Sequence, residues 1–151
     1  MISKYELFSA SIACMYRDIQ KIERVEMAKF GLKGPQAQCL LALSRYPEGI
    51  TAARLCEICE KDKAAISRTV SELAQAGLVC RREVNGSHYR ARLTLTARGL
   101  DVAGTVNARA KLAVEQAGEG LDDAQREVFY RVLALIAGNL HAICKDGLKD
   151  D

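Results

Sequence analysis

Residues 51–96 read TAARLCEICEKDKAAISRTVSELAQAGLVCRREVNGSHYRARLTLT, and the punctuation inside them decides the fold. Thr51 offers a side-chain oxygen to the free amides of a helix start, and Ala52, Leu55, Cys56 and Cys59 follow at helical spacing. Asp62 is a second cap of the same kind, and Gly77, after Ala74-Gln75-Ala76, stands where a left-handed residue closes a helix. Between these caps Ala65, Ile66, Thr69, Val70, Leu73 and Ala76 recur at helical steps, which turns one face inward. Beyond Gly77, Leu78 and Val79 restart as strand, and the stretch from Tyr89 to Thr96 alternates around Leu93 and Leu95. Asn85-Gly86 between the two runs is a hairpin signal, since both residues tolerate positive φ. Two short helices and a β-hairpin are therefore expected.

The chemistry of that stretch points to a polyanion. A helix entering a major groove needs a small, polar or basic face, because bulky apolar groups offer nothing to base-edge donors and acceptors. The second helix has one in Lys63, Ala64, Ser67, Arg68, Ser71 and Glu72, of which only Glu72 repels phosphate. The hairpin carries Arg81, Arg82, Arg90 and Arg92, with His88 near its tip and a single acid, Glu83; Arg98 follows at the next helix start. Hairpin charges are commonly just a solvated face. Charges of one sign beside a capped, groove-compatible helix reverse that reading. The expected DNA-facing set is Lys63, Ala64, Ser67, Arg68, Ser71, Arg81, Arg82, Ser87, His88, Arg90 and Arg92. Arg68 is the candidate for bidentate contact with guanine, and Ala64 allows close approach or touches a thymine methyl. Asp62 reads as a cap, not a DNA ligand.

Composition sets the surroundings. The chain has 151 residues, a net charge of +3 and 49% hydrophobic residues, which fits one domain with a sizeable core. No uncharged apolar run approaches the length of a membrane span, so no membrane partner is expected. The first residues, MISKYELFSASIACMYRDIQKIERVE, lack signal-peptide architecture, so cytoplasmic residence is the expectation. Neither a P-loop, a GxSxG elbow, an HExxH pair nor a dinucleotide fingerprint is present, which argues against an enzyme. No cofactor or metal is implied.

Long helices flank the central stretch. Phe8, Ile12, Met15, Ile19 and Ile22 step by four, three, four and three along one stripe. Gly34-Pro35 opens a helix through Tyr46 with Leu40, Leu41 and Leu43 inward; Pro47, Glu48 and Gly49 end it before Ile50, a candidate short strand against the hairpin. A third long helix begins near Thr96, continues through Val102, Val106, Ala110 and Ala113, and fades around Gly118 and Gly120. Asp122 and Gln125 make a capping-box start for the last, which carries Val128, Val132, Leu135, Ile136, Leu140 and Ile143.

Six cysteines remain: Cys14, Cys39, Cys56, Cys59, Cys80 and Cys144. In a cytosolic chain structural disulfides are not expected. Cys56-x-x-Cys59 has no second Cys or His pair at matching spacing, so buried apolar roles are the first reading. Oxidant sensing through Cys14, Cys56 or Cys59 is the alternative.

Taken together, ITAARLCEIC, the DKAAISRTVSELAQAGLV helix and the LTLTARG that closes the hairpin and opens a long helix resemble the MarR-type winged helix-turn-helix transcriptional regulators. The resemblance covers essentially the whole chain. It implies a mainly α fold with a small β-wing, with residues 33–96 as DNA-binding lobe and residues 1–30 and 97–147 as a helical dimerisation region. It further implies a homodimeric repressor on a palindromic operator in double-stranded DNA, released by a small aromatic or phenolic effector in a pocket that would include Met15, Tyr16, Cys39 and Leu43. A winged-helix protein-interaction module is the other reading. Many members carry an Asp-x-Arg signature at the wing tip; this chain reads NGSHYRARL there, and Arg90 is the substitute candidate.

Overall fold

The computed structural model describes residues 3–149, without the side chains of residues 87–89. Among them six helices and a two-stranded sheet follow in the order α1 Lys4–Ala28, α2 Gly34–Ser44, α3 Ala52–Cys59, α4 Lys63–Gln75, β1 Val79–Val84, β2 Ser87–Leu95, α5 Ala97–Ala117 and α6 Asp123–Asp146. The fold is mainly helical with a small β-wing. Two compact units divide it, one running through Lys111 and the other starting at Leu112, so the boundary falls inside α5.

Each helix start has a chemical cause. Thr51 Oγ1 accepts the Arg54 amide at 3.2 Å, and Asp62 Oδ1 accepts the Ala65 amide at 2.7 Å. At α6, Asp122 Oδ1 accepts the Gln125 amide at 2.8 Å while Gln125 Oε1 accepts that of Asp122 at 3.0 Å, a complete capping box. The end of α4 is equally explicit. Gly77 takes φ +74°, its amide donates to Ala74 O, and the Leu78 amide reaches back to Leu73 O at 2.9 Å. Leu73 and Leu78 are both buried, the hydrophobic contact such an ending carries.

The wing is antiparallel, pairing Val79 with Leu95, Arg81 with Leu93 and Arg82 with Arg92 before a bulge between Arg82 and Val84. Asn85 and Gly86 adopt φ 56° and 71°, the geometry that matches strand twist in a two-residue turn. Ile50 bridges to Leu93, so the short strand expected at Ile50 is present. Leu40, Leu43, Leu55, Val70, Leu73, Leu93 and Val106 are all less than 2% exposed and form the centre of the first unit's core, with Cys39 among them.

A polar junction sets where α5 begins. The Thr96 amide donates to Leu78 O at 3.0 Å, its hydroxyl donates to Gly77 O at 2.7 Å, and the same hydroxyl oxygen accepts the Gly99 amide at 3.0 Å. A Cβ at Gly99 would overlap the Leu78 carbonyl oxygen, which explains glycine there. Farther along, Arg109 Nε donates to Glu26 Oε2 at 2.8 Å, a charge-assisted tie between α5 and α1. With Lys29 and then Arg109 beside it, the Glu26 carboxyl titrates below its ordinary range.

The second unit is built differently. No described residue of α6 is buried, and Val128, Phe129, Val132, Leu135, Leu140 and Ile143 are exposed. Along α1 the expected stripe of Phe8, Ile12, Met15, Ile19 and Ile22 is likewise exposed. By length and composition α6 is apolar enough to cross a bilayer, with a mean hydropathy of 1.3 over its most apolar window. Charges at Arg126, Glu127, Arg131 and Lys145 interrupt it, so it holds no uncharged run of full spanning length.

Candidate nucleic-acid interface

The α4 helix is laid out as its periodicity requires. Ile66, Thr69, Val70 and Leu73 are buried, while Lys63, Ala64, Ser67, Arg68 and Ser71 are all exposed on the other side. Thr69 is the one polar residue on the inner face, and its hydroxyl donates to Ala65 O at 3.0 Å, so its burial leaves nothing unsatisfied. The outer face is small and polar with two cations, a surface that admits a base edge.

Alternation and pairing sort the wing arginines. Arg82 and Arg92 are cross-strand partners and so share a face, which Arg90 joins two residues before Arg92. Arg81 faces the way Leu93 does. All four are exposed. Arg92 is held partly against the body, one guanidinium nitrogen donating to Gly49 O at 3.0 Å. Two like charges directly opposite each other are unfavourable, and this carbonyl gives Arg92 a partner that offsets part of the repulsion. Gly49 has to be glycine. Its φ is +85°, and a Cβ there would meet Thr94, Arg92 and the Leu93 carbonyl at 2.8–3.0 Å. Arg98 donates to Ala76 O at 3.3 Å, so it serves the end of α4 as well as the local charge. The side chains of Ser87 and His88, expected at the wing tip, lie outside the described residues.

The four residues expected to line an effector pocket differ in exposure. Cys39 and Leu43 are each 1% exposed within the core, whereas Met15 and Tyr16 are exposed on α1. Leucine and cysteine at those α2 positions face the packed interior, which periodicity alone does not separate from a ligand-lined face. A hollow of about 370 Å³ instead opens between α2 and α5, lined by Leu41, Ser44, Arg45, Leu100, Ala103, Gly104 and Asn107. Its wall mixes apolar side chains with one cation, Arg45, and two neutral polar groups, Ser44 and Asn107.

Among the cysteines, Cys39, Cys56 and Cys59 gather where α3 meets the core. Burial pushes the Cys39 thiol up to about 12, helped by the neighbouring Cys59, and burial raises Cys59 too. Such thiols hold their protons and are poor nucleophiles. Cys14 is exposed, its Sγ donating to Asp18 Oδ2 at 3.7 Å. No group of three or more metal-ligating side chains suited to an ion occurs among the described residues.

Residues 30–91, spanning α2 to the wing, match the profile of the MarR family. Over this stretch the chain is similar to the MarR family. Solved MarR structures share the rest of the fold as well. A MarR family transcription regulator superposes with TM-score 0.83 at 24% identity, covering 93% of this chain and 94% of its own. A MarR transcriptional regulator from Methanosarcina mazei Go1 gives 0.81 at 24% identity, over 91% of this chain and 99% of its own. A MarR-family protein from Listeria monocytogenes, complexed with 26mer DNA, gives 0.75 at 20% identity over 94% and 96%. No curated protein sequence matches the chain. The two short helices and the hairpin were legible from caps and periodicity, whereas the Gly49 tether of Arg92 was not, since it joins residues 43 apart.

Proposed function

We propose that the chain is a sequence-specific transcriptional regulator that binds double-stranded DNA as a homodimer. Each copy lays α4 in a major groove of a palindromic operator, with the wing arginines on phosphate or in the minor groove, and occupancy of the promoter represses transcription. The observation that carries this reading is the exposed small, polar and basic face of α4 beside Arg82, Arg90 and Arg92 on one face of the wing. Lys63, Ser67, Arg68 and Ser71 read bases, and the arginines anchor.

Dimerisation has its own support. One short helix contacts few base pairs, and useful discrimination requires two half-sites. The stripe of α1 and the stripe of α6 each leave apolar side chains exposed for a second copy to cover; covering them removes apolar area from water, the main drive for association. A cytoplasmic dimer accounts for the composition of α6 without a membrane. Release is by a small aromatic or phenolic effector seated in the hollow between α2 and α5, where Arg45 suits an anionic group. It acts by favouring a dimer whose reading heads are wrongly spaced.

Selection from a random DNA pool, followed by titration with salt, tests this directly. The expected outcome is a palindromic consensus whose affinity falls by orders of magnitude between about 50 and 200 mM salt, as condensed counterions are released. Failure to enrich any sequence overturns the reading, and binding to a protein partner that ignores salt would replace it with an interaction module. A monomer at micromolar concentration removes the dimer. Peroxide-weakened binding that Cys14→Ser or Cys59→Ser abolishes would move the signal to cysteine.

A further inference from the structure

Glu72 is the one acid on the outer part of α4, one helical turn after Arg68. At that i, i+4 spacing the two side chains are natural partners. The structure sends Glu72 elsewhere. Its Oε2 accepts Gln36 Nε2 at 2.7 Å and its Oε1 faces Lys33 Nζ at 3.4 Å. None of the described ion pairs joins it to Arg68. Gln36 is 9% exposed, and its amide is fixed by two bonds of opposite sense: Oε1 accepts the Lys33 amide at 2.9 Å while Nε2 donates to Glu72. Turning the amide over would set donor against donor and acceptor against carboxylate, so a single orientation is held.

We propose that Gln36 and Lys33 form a clamp that withdraws Glu72 from Arg68, making Gln36 a positioning residue for DNA recognition. With the clamp closed, the Arg68 guanidinium is available to a base or phosphate, and the carboxylate is partly neutralised at the flank. Opening it lets Glu72 swing to Arg68, which removes one cation from the interface and presents an acid to the DNA. This rests on the DNA-binding reading given above.

A double-mutant cycle on the full chain tests it, with a selected duplex as probe and thermal unfolding as the control for folding. Gln36→Met keeps side-chain volume and loses both bonds; affinity for the duplex should fall about fivefold. Adding Glu72→Ala should restore affinity to within about twofold, because no acid remains to capture Arg68. A role confined to packing or capping α2 would not be rescued this way. Unchanged affinity in Gln36→Met, or a loss that Glu72→Ala does not repair, overturns the inference. Should Gln36→Met fail to fold, Lys33→Gln opens the other arm, with a fall of about twofold and the same rescue expected. If the parent chain binds no duplex, the DNA reading itself falls; if it binds with steep salt dependence while the cycle is flat, only the clamp does.

Discussion

Helices α4 and α6 begin alike and end up in different circumstances. Each opens on an aspartate that accepts the amide three residues on, Asp62 for Ala65 and Asp122 for Gln125. Each is amphipathic. Yet α4 buries Ile66, Thr69, Val70 and Leu73 against its own chain, and α6 buries nothing. Local sequence makes a helix in both cases; what surrounds the apolar stripe comes from the rest of the chain or from another molecule. For α4 the partners are α2, α3 and β1. For α6 no described residue is buried at all.

The sharpest way to break this comparison is to truncate a leucine in each helix. Leu73→Ala in α4 removes a side chain 1% exposed, and unfolding free energy should drop by about 2–5 kcal/mol whatever the protein concentration. Leu135→Ala in α6 removes one that is 63% exposed, and its effect on Tm should vanish on dilution below the dimer dissociation constant. Equal, concentration-independent losses would show that α6 is covered within one chain. Gly99→Ala comes next. Its Cβ would overlap the Leu78 carbonyl, and shifting backbone at the start of α5 should cost about 1–3 kcal/mol in denaturant unfolding. The caps follow. Asp62→Ala should lower the stability of the reading lobe by about 1 kcal/mol, whereas Asp122→Ala should chiefly reduce the helicity of α6, resolved by amide exchange.

The last effect concerns pH and is nil at neutrality. Cys39 holds its proton to about 12 when folded, against 9.0 for an ordinary thiol. A group whose folded value is raised contributes stability that is complete below the unfolded value and is lost as pH climbs through the folded one. Stability should therefore decline from about pH 9 towards pH 12, and Cys39→Ala should flatten that part of the profile, read by urea midpoints across the range. An identical slope in both proteins would remove Cys39 as its source.

Much of this was open to the sequence because it is local. Caps, the Gly77 ending, the Asn85-Gly86 turn and the inner face of α4 depend on neighbours a few residues away. What the sequence concealed is long-range or conformationally unusual. Glu60 closes α3 with φ 52°, in the left-handed region, without the glycine or asparagine that announces such a residue. The Gln36–Glu72 bond spans 36 residues, and neither side chain signals the other. The resemblance placed Cys39 and Leu43 beside a ligand pocket, and both lie in the core, where helical spacing had already turned Leu43 inward. Ser87 and His88 lie outside the described side chains.

The bridge between Ile50 and Leu93 has a consequence for time as well as shape. Leu93 N–H donates to Ile50 O at 2.8 Å and Ile50 N–H returns to Leu93 O at 3.2 Å, with both residues buried. These two amides belong to segments 43 residues apart in the chain, so neither can meet solvent through fraying at one turn or one helix end. They exchange their hydrogens when the wing parts from the helices, whereas amides at the exposed hairpin tip exchange without that event. The pair is thus a built-in clock for the cohesion of the whole reading lobe, running at the rate of its rarest opening.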